Sequence, residues 1–488
     1  MIIKTKKDEF ESYLEDTSNL YGSASSLYIV KSKDELVSLI RDFNKHKTLF
    51  TLSAGRTGTT GGCVPLEGVI ISIEQLKSII EIDKNNKTVH LEAGVTFKEL
   101  EESITKCNLA LRASPTESLA FVGGAISTCA SGVRGFGYGS IRNYISEIEV
   151  VMPTGEIIVI KRGNVFSKAR LFDFEAKGKK IKFRLPSYIT PKIKSQSGYF
   201  VHDNMDLIDL FIGSEGTLGV VASAKINLQE SPANVFDGLI FFKKETESLE
   251  FIAKIKSLKE KKALKPTSLE FFDKNSLGML KEEYSFVPDA VCAVYFEQSV
   301  EAQDNLNTLM DEWAALIEEA GAIMEKSLLA DTPKEREKIF EFRHRLPQAI
   351  NEYLRSYKQL KTAVDCAVPD KAFADMYDFY KEKAKESGIH YVNFGHIGED
   401  HLHFNFLPKN NEEAVSARKY MELFCKKAIS LGGTVSAEHG IGKIKKNYLK
   451  IMYNAEQIKE MAHLKKYFDP NCLMGLDNIF EKEVLFSL

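Results

Sequence analysis

Between residues 47 and 160, short apolar runs rich in β-branched residues alternate with glycine-bearing turns, as in GVIISI, TVHLEAGV and ISEIEVVMPTGEIIVI. Runs of this length bounded by glycine predict strands. Over 244–285, 299–325 and 333–356 apolar residues recur at helical spacing among dense charge, and 411–431 does the same; these stretches predict helices. Between them, YVNFGHIGEDHLHFNF (391–406) predicts a strand, a turn containing glycine and a second strand. In the second arm a period of two places His401, His403 and Asn405 on one face and Leu402, Phe404 and Phe406 on the other. The pattern is that of an α+β chain, with 229–236 (QESPANVF) as a linker between two architectures.

Composition narrows the class. The 488 residues, 44% hydrophobic and 27% charged, describe an ordinary globular protein of two or three domains, without low-complexity tracts or internal repeats. A formal net charge of −3 gives no general attraction to nucleic acid, and no run of about 18 apolar residues exists to cross a bilayer. The N-terminal MIIKTKKDEFESYLED lacks the apolar stretch of a secretory signal, and the seven scattered cysteines include no C-x-x-C. The expected compartment is therefore the reducing cytoplasm.

Two features carry chemistry. Four of the ten histidines are His396, His401, His403 and His439, the last directly behind Glu438 in SAEHGIG. Two imidazoles and a carboxylate leave coordination positions open on a divalent metal, as an ion needs if it is to polarise a substrate oxygen. His439 is then a candidate to move a proton, while His401 is as well explained by a supporting or solvent role. The second feature is glycine: SAGRTGTTGGCVP (53–65), FVGGAISTCASGVRGFGYGSIRN (121–143) and FIGSEGTLGVV (211–221). Glycine lets backbone approach a ligand and aim successive N–H groups at anionic oxygens, so Gly55, Gly58, Gly61 and Gly62 suit a pyrophosphate. The spacing fits neither a Walker A loop nor a dinucleotide-binding Rossmann fingerprint.

These segments, in this order and followed by H-x-G-x-x-x-L-H and E-H-G-I-G, resemble the flavoproteins of the vanillyl-alcohol oxidase type. The branch resembled holds D-lactate dehydrogenases, D-2-hydroxyglutarate dehydrogenase and the glycolate oxidase FAD subunit. FDPNCLMGLDNIF (468–480) is similar to that family's closing motif. The resemblance implies an N-terminal FAD-binding domain of the PCMH type over 1–228, an antiparallel-sheet substrate domain over 229–430, and a helical segment, 431–488, that returns to the FAD domain. It implies FAD contacts at Arg56, Thr57, Gly58, Thr59, Gly61 and Gly62, then at Pro115, Gly123, Gly124, Ser131, Gly132, Arg134, Tyr138 and Gly139, and finally at Glu215, Gly216, Gly219 and Val220. The first loop lacks the histidine that tethers FAD in some relatives, so noncovalent FAD is expected; Thr116 stands where the family usually has an acid.

In the second half the resemblance implies His396, His403 and Glu438 as ligands of a divalent metal, zinc for preference, Asn405 as a substrate contact and His439 as the base. FEFRHRLPQAIN (340–351) implies Arg343 as the grip on a substrate carboxylate, with Arg345 in reserve. Glu399, Asp400 and His401 depart from the family's H-x-G-D-G-N-L-H, which bears on the identity of the substrate. The implied activity is oxidation of a D-2-hydroxy acid with hydride transfer to flavin N5. Two alternatives share the scaffold: a flavin subunit of a glycolate oxidase-like complex, and a transferase like alkyl-glycerone-phosphate synthase. A quinone, a cytochrome or an electron-transfer protein would accept the electrons, and a homodimer is a further expectation. Residues 161–184 form an insertion with nine lysines and arginines against Asp173 and Glu175. Its interleaved aromatics raise the expectation of peripheral contact with anionic lipid on the inner face of the membrane, weighed against a solvated hairpin packed on the FAD domain.

Overall fold

The computed structural model describes residues 1–176, 178–262 and 264–487. The chain divides into two compact units. The first comprises Met1–Gly132, Ser140–Glu230 and Thr434–Leu488; the second comprises Val133–Gly139 and Ser231–Gly433.

In the first unit, Ile2–Lys4, Leu27–Ile29, Val69–Ser72 and Phe50–Ser53 form a four-stranded sheet in that order. Its last two pairings are parallel. Val69–Ser72 is buried along its whole length, which explains why VIIS is continuously apolar rather than alternating. The second sheet is antiparallel and runs Ile79–Asp83, Thr88–Glu92, Val220–Asn227, Ile145–Val151, Ile157–Lys161. The predicted strands of 47–160 are all found in these two sheets.

The insertion forms a hairpin, Leu171–Ala176 with Lys179–Arg184. Its alternation buries Phe172 and Phe183, stacked with ring centroids 5.0 Å apart, and Phe183 packs on Phe468 at 5.1 Å. The fold also supplies its charges with partners. Lys180 and Lys182 lie 3.5 and 3.4 Å from Asp173, Lys179 pairs with Glu156, Arg162 with Asp209 and Arg170 with Asp203. Lys177, counted in the basic run, lies outside the described residues. Much of the basic charge conspicuous along the sequence thus stands beside carboxylates in space.

The second unit is built on a seven-stranded sheet in the order Leu328–Ala330, Asn234–Phe242, Cys292–Val300, Pro266–Phe272, Tyr391–Gly395, His403–Phe406, Thr362–Val364. Every pairing in it is antiparallel. Helices cover both faces. On one, Ile339, Phe342, Leu346 and Ile350 of the helix Pro333–Ser356 pack against Phe241, Phe272 and Phe394. On the other, Phe251, Ile255, Trp313 and Ile317 pack against Ile240, Phe271 and Phe296. The predicted helices appear at Glu245–Glu260, Lys274–Leu280, Leu306–Glu319, Pro333–Ser356 and Asn411–Ser430. One expectation is corrected: 244–285 is not helical throughout, because PTSLEFF (266–272) is a strand buried at all seven positions. Two covered faces remove the period-two signal that would have marked it.

Candidate active site

The first unit contains a cleft of about 290 Å³ walled by the three glycine segments. Arg56, Thr57, Gly58, Thr59 and Gly62 line it from the first loop. Pro115, Gly123, Gly124 and Ser131 line it from the second stretch, and Glu215, Gly216 and Val220 from the third. At Gly58 and Gly62 an added Cβ would meet no neighbour nearer than 3.8 and 3.9 Å, so a side chain there would grow into the space the cleft provides. At Gly123 the reason for glycine is different: a Cβ would lie 2.5 Å from Ala93 Cβ. These walls fit a long, anionic, nucleotide-bearing cofactor, since they offer backbone rather than bulk.

Other expected FAD contacts are not on the walls of this cleft. Gly61, Gly132 and Gly219 are not among the lining residues. A Cβ at Gly132 would strike Ser114 O at 2.2 Å and one at Gly219 Val150 Cγ1 at 2.4 Å, so both serve close packing. Arg134, Tyr138 and Gly139 belong to the second unit. There the Arg134 guanidinium makes a bidentate pair with Glu297, with Nε 2.8 Å from Oε1 and Nη2 2.9 Å from Oε2, and Tyr138 Oη lies 2.9 Å from Ser299 Oγ. Sequence reasoning missed Asp16, Asn478 and Gly475, which also line the cleft. The signal for the last two was present, in the closing motif.

Glu438 and His439 open into the same cleft. Glu438 is held by Lys194, whose Nζ is 2.8 Å from Oε2, and by Ser131, whose hydroxyl donates to that oxygen at 3.0 Å. The His439 side chain is about 30% exposed, with Nε2 3.6 Å from Glu438 Oε1. The loop carrying it is anchored from below by Glu215, whose carboxylate accepts from the backbone N–H groups of Ile441 at 2.8 Å and Gly442 at 2.6 Å. Burial pushes the Glu215 carboxyl up to about 7, against the opposing pull of those two N–H groups. Asn478 ties the cleft together by donating to Gly62 O at 2.9 Å and Glu215 O at 3.0 Å.

In the second unit, His396, His401 and His403 form a cluster with ring centroids 4.7 to 5.5 Å apart. The hairpin that builds it needs glycine at 395, where φ is +121° and a Cβ would lie 2.7 Å from His403 Cδ2. Asn405 is buried, and its amide donates to His403 O at 3.1 Å. Glu270, which sequence reasoning overlooked, is fully buried on the strand Pro266–Phe272. Its Oε2 accepts from Arg343 Nε at 2.9 Å, and its Oε1 accepts from Arg343 Nη2 at 2.9 Å and lies 3.0 Å from His396 Nδ1. Burial raises the Glu270 carboxyl, but Arg343 and His396 together outweigh it and hold the group well below the usual carboxylate range. The missed signal was a carboxylate set between Leu269 and Phe271 on a strand buried at every position. Arg345 pairs with Glu283 and Glu352 near the surface, as a solvated arginine does.

Comparison with known proteins accounts for both units. Residues 24–161 match the FAD binding domain, and residues 239–475 match the C-terminal domain of the FAD linked oxidases. The chain belongs to the FAD-linked oxidases. It is 29% identical over 488 residues to a D-lactate dehydrogenase of Anaerostipes hadrus, covering 97% of this chain and 93% of that protein. It is 24% identical over 497 residues to a D-2-hydroxyglutarate dehydrogenase of Stutzerimonas stutzeri, covering 98% and 96%. Among solved structures, an alkyldihydroxyacetonephosphate synthase shares the fold with a TM-score of 0.67 at 16% identity, over 97% of this chain and 81% of that one. The protein is thus an FAD-linked oxidoreductase with the PCMH-type fold, and among the described residues no helix is long and apolar enough to cross a membrane.

Proposed function

We propose that this FAD-linked oxidase dehydrogenates a D-2-hydroxy acid of the D-lactate, glycolate or D-2-hydroxyglutarate class to the 2-oxo acid. The observation that carries the reading lies within the first unit: His439, chosen from sequence as the base, opens into the cleft walled by the three glycine loops. The D-lactate dehydrogenase relative supports the substrate class over nearly the whole chain. The likeness to the synthase, at 16% identity, speaks for the scaffold and not for the transferase reaction.

In this reading Arg343 holds the substrate carboxylate, since a guanidinium fork matches two carboxylate oxygens, and Asn405 orients the hydroxyl. His439 takes the hydroxyl proton as the α-hydrogen leaves with its electron pair. Bound FAD supplies the two-electron acceptor for that hydride. His396, His403 and Glu438 would hold a divalent cation, zinc by donor type, whose charge makes the hydroxyl more acidic. Glu438 already pairs with Lys194 and accepts from Ser131, so the carboxylate that would meet the cation is positioned by both side chains. Zinc aside, the residues act by alignment and proton removal.

The test is anaerobic stopped-flow reduction of the bound flavin by D-lactate, glycolate and D-2-hydroxyglutarate. Wild-type protein should be reduced by at least one of them. His439→Ala should slow that reduction by about 10²–10⁴-fold while still binding the substrate. Reduction of the variant at the wild-type rate would remove His439 from the mechanism.

A further inference from the structure

A buried carboxylate on a strand flanked by apolar residues calls for an explanation, because burial without partners is costly. Along Pro266–Phe272, Ser268, Glu270 and Phe272 share the face that the helix Pro333–Ser356 covers, while Leu269 and Phe271 point to the opposite core. Glu270 meets two partners there. Arg343 presents both Nε and Nη2, one to each oxygen, and His396 approaches Oε1 through Nδ1. An Nδ1–H donated to a carboxylate fixes the imidazole tautomer and assigns ligation to Nε2; loss of a partner of this kind typically weakens metal affinity by about 10–100-fold. The bidentate bond to Arg343 likewise locks the rotamer of the guanidinium.

We propose that Glu270 is a positioning residue that serves both halves of substrate capture, orienting His396 for the divalent cation and Arg343 for the substrate carboxylate. The inference rests on the functional reading above, in which His396 is a metal ligand and Arg343 the carboxylate grip. Because one carboxylate braces both groups, metal occupancy and substrate affinity are coupled through it. Binding free energies couple reciprocally, so Zn²⁺ should tighten D-lactate binding by the same factor as D-lactate tightens Zn²⁺ binding. Glu270 touches neither ligand in this account and acts only through the two side chains it holds.

The experiment measures Zn²⁺ affinity of the FAD-loaded protein by competition with a chromophoric chelator, for wild type, His403→Ala, Glu270→Gln and Glu270→Asp. Glu270→Gln should weaken Zn²⁺ binding about 10–100-fold and raise the D-lactate KM, with the flavin spectrum unchanged. Glu270→Asp keeps the charge that offsets Arg343 but draws the carboxylate back by one methylene. It should fold even if the glutamine variant does not, and show an intermediate loss. A role in stability alone would lower the melting temperature and leave Zn²⁺ affinity where it was, and that result in Glu270→Asp overturns the proposal. If wild type and His403→Ala bind Zn²⁺ equally, it is the ligand assignment that fails instead, together with the part of the inference built on it.

Discussion

The cleft of Met1–Gly132, Ser140–Glu230 and Thr434–Leu488 and the polar cluster of Val133–Gly139 and Ser231–Gly433 use opposite means to present a surface to a ligand. The cleft is made by leaving side chains out, at Gly58, Gly62 and Gly124, so that backbone forms its walls. The cluster is made by burying charged side chains in a sheet covered on both faces and pairing them there, as in Arg343–Glu270–His396. Substitutions should therefore fail differently in the two. In the cleft, added volume is the injury. In the cluster, a lost partner is, because the group left behind is buried and charged.

The largest effect should come from the cluster. His403→Ala is expected to remove zinc and lower turnover by about 10³-fold, since a Lewis acid supplies several kcal/mol, while the flavin absorbance stays as in wild type. Metal analysis and visible spectra on the same sample check this, and a metal-replete, active variant would erase the contrast between the two units.

Next is the converse injury. A side chain at Gly124 begins 3.1 Å from Ala54 Cβ and enters the cleft. Gly124→Val should weaken FAD binding about 10–100-fold, the equivalent of 1–3 kcal/mol of overpacking, with the secondary structure of both units intact by circular dichroism. Because no residue of the first loop offers a histidine tether, wild-type flavin should come away entirely when the protein is precipitated with acid.

A smaller effect follows from Glu215. Its carboxyl, moved from 4.5 up to about 7 by burial, is bound more tightly to its proton in the folded chain than in the unfolded one. The stabilisation is present at low pH and is lost as pH rises from about 4.5 through 7. Lys443, brought down to about 8 by burial, works in the other direction but chiefly above that pH. In flavin-free protein between pH 6 and 7.5 the Glu215 contribution should fall by about 1 kcal/mol. Asp237 of the second unit, raised to about 7 by burial and by Glu297, drifts in the same sense. Only the difference between wild type and Glu215→Gln therefore isolates the first unit, and equal pH slopes in their melting temperatures would refute the assignment.

The smallest effect is expected at the basic hairpin. With Lys179, Lys180, Lys182, Arg162 and Arg170 paired to carboxylates, deleting 171–184 should change co-sedimentation with anionic vesicles little. A large loss of vesicle binding would instead favour the docking expectation.

Much of this was legible along the chain, for reasons that differ by unit. The glycine loops announce themselves because a backbone wall must be written in glycine, and Val69–Ser72 or His403–Phe406 are short runs whose pattern leaves little choice of structure. The strand Pro266–Phe272 was hidden because both of its faces are buried, and Glu270 was hidden with it. Asp16 and Asn478 reach the cleft from far along the chain, by tertiary contacts such as Asn478 to Gly62 that no local pattern encodes. The pairing of the Arg134 guanidinium with Glu297 was likewise invisible along the chain, since the two residues stand far apart in sequence.

The first unit is assembled from three separate lengths of chain, and this has a consequence for its birth on the ribosome. The edge strand Phe50–Ser53 takes its outer partner from the far end of the protein: Phe50 N–H donates to Leu473 O at 2.8 Å, and Gly475 N–H returns a bond to Phe50 O at 3.1 Å. At about 5–20 residues per second, roughly 20–80 s of synthesis separate the two. Throughout that interval Ser231–Gly433 can emerge and fold as a nearly continuous piece, while Phe50–Ser53 waits with an unpaired edge. Such an edge invites pairing with another chain, so a nascent or truncated product lacking Leu473–Gly475 is the form of this protein most in need of a chaperone.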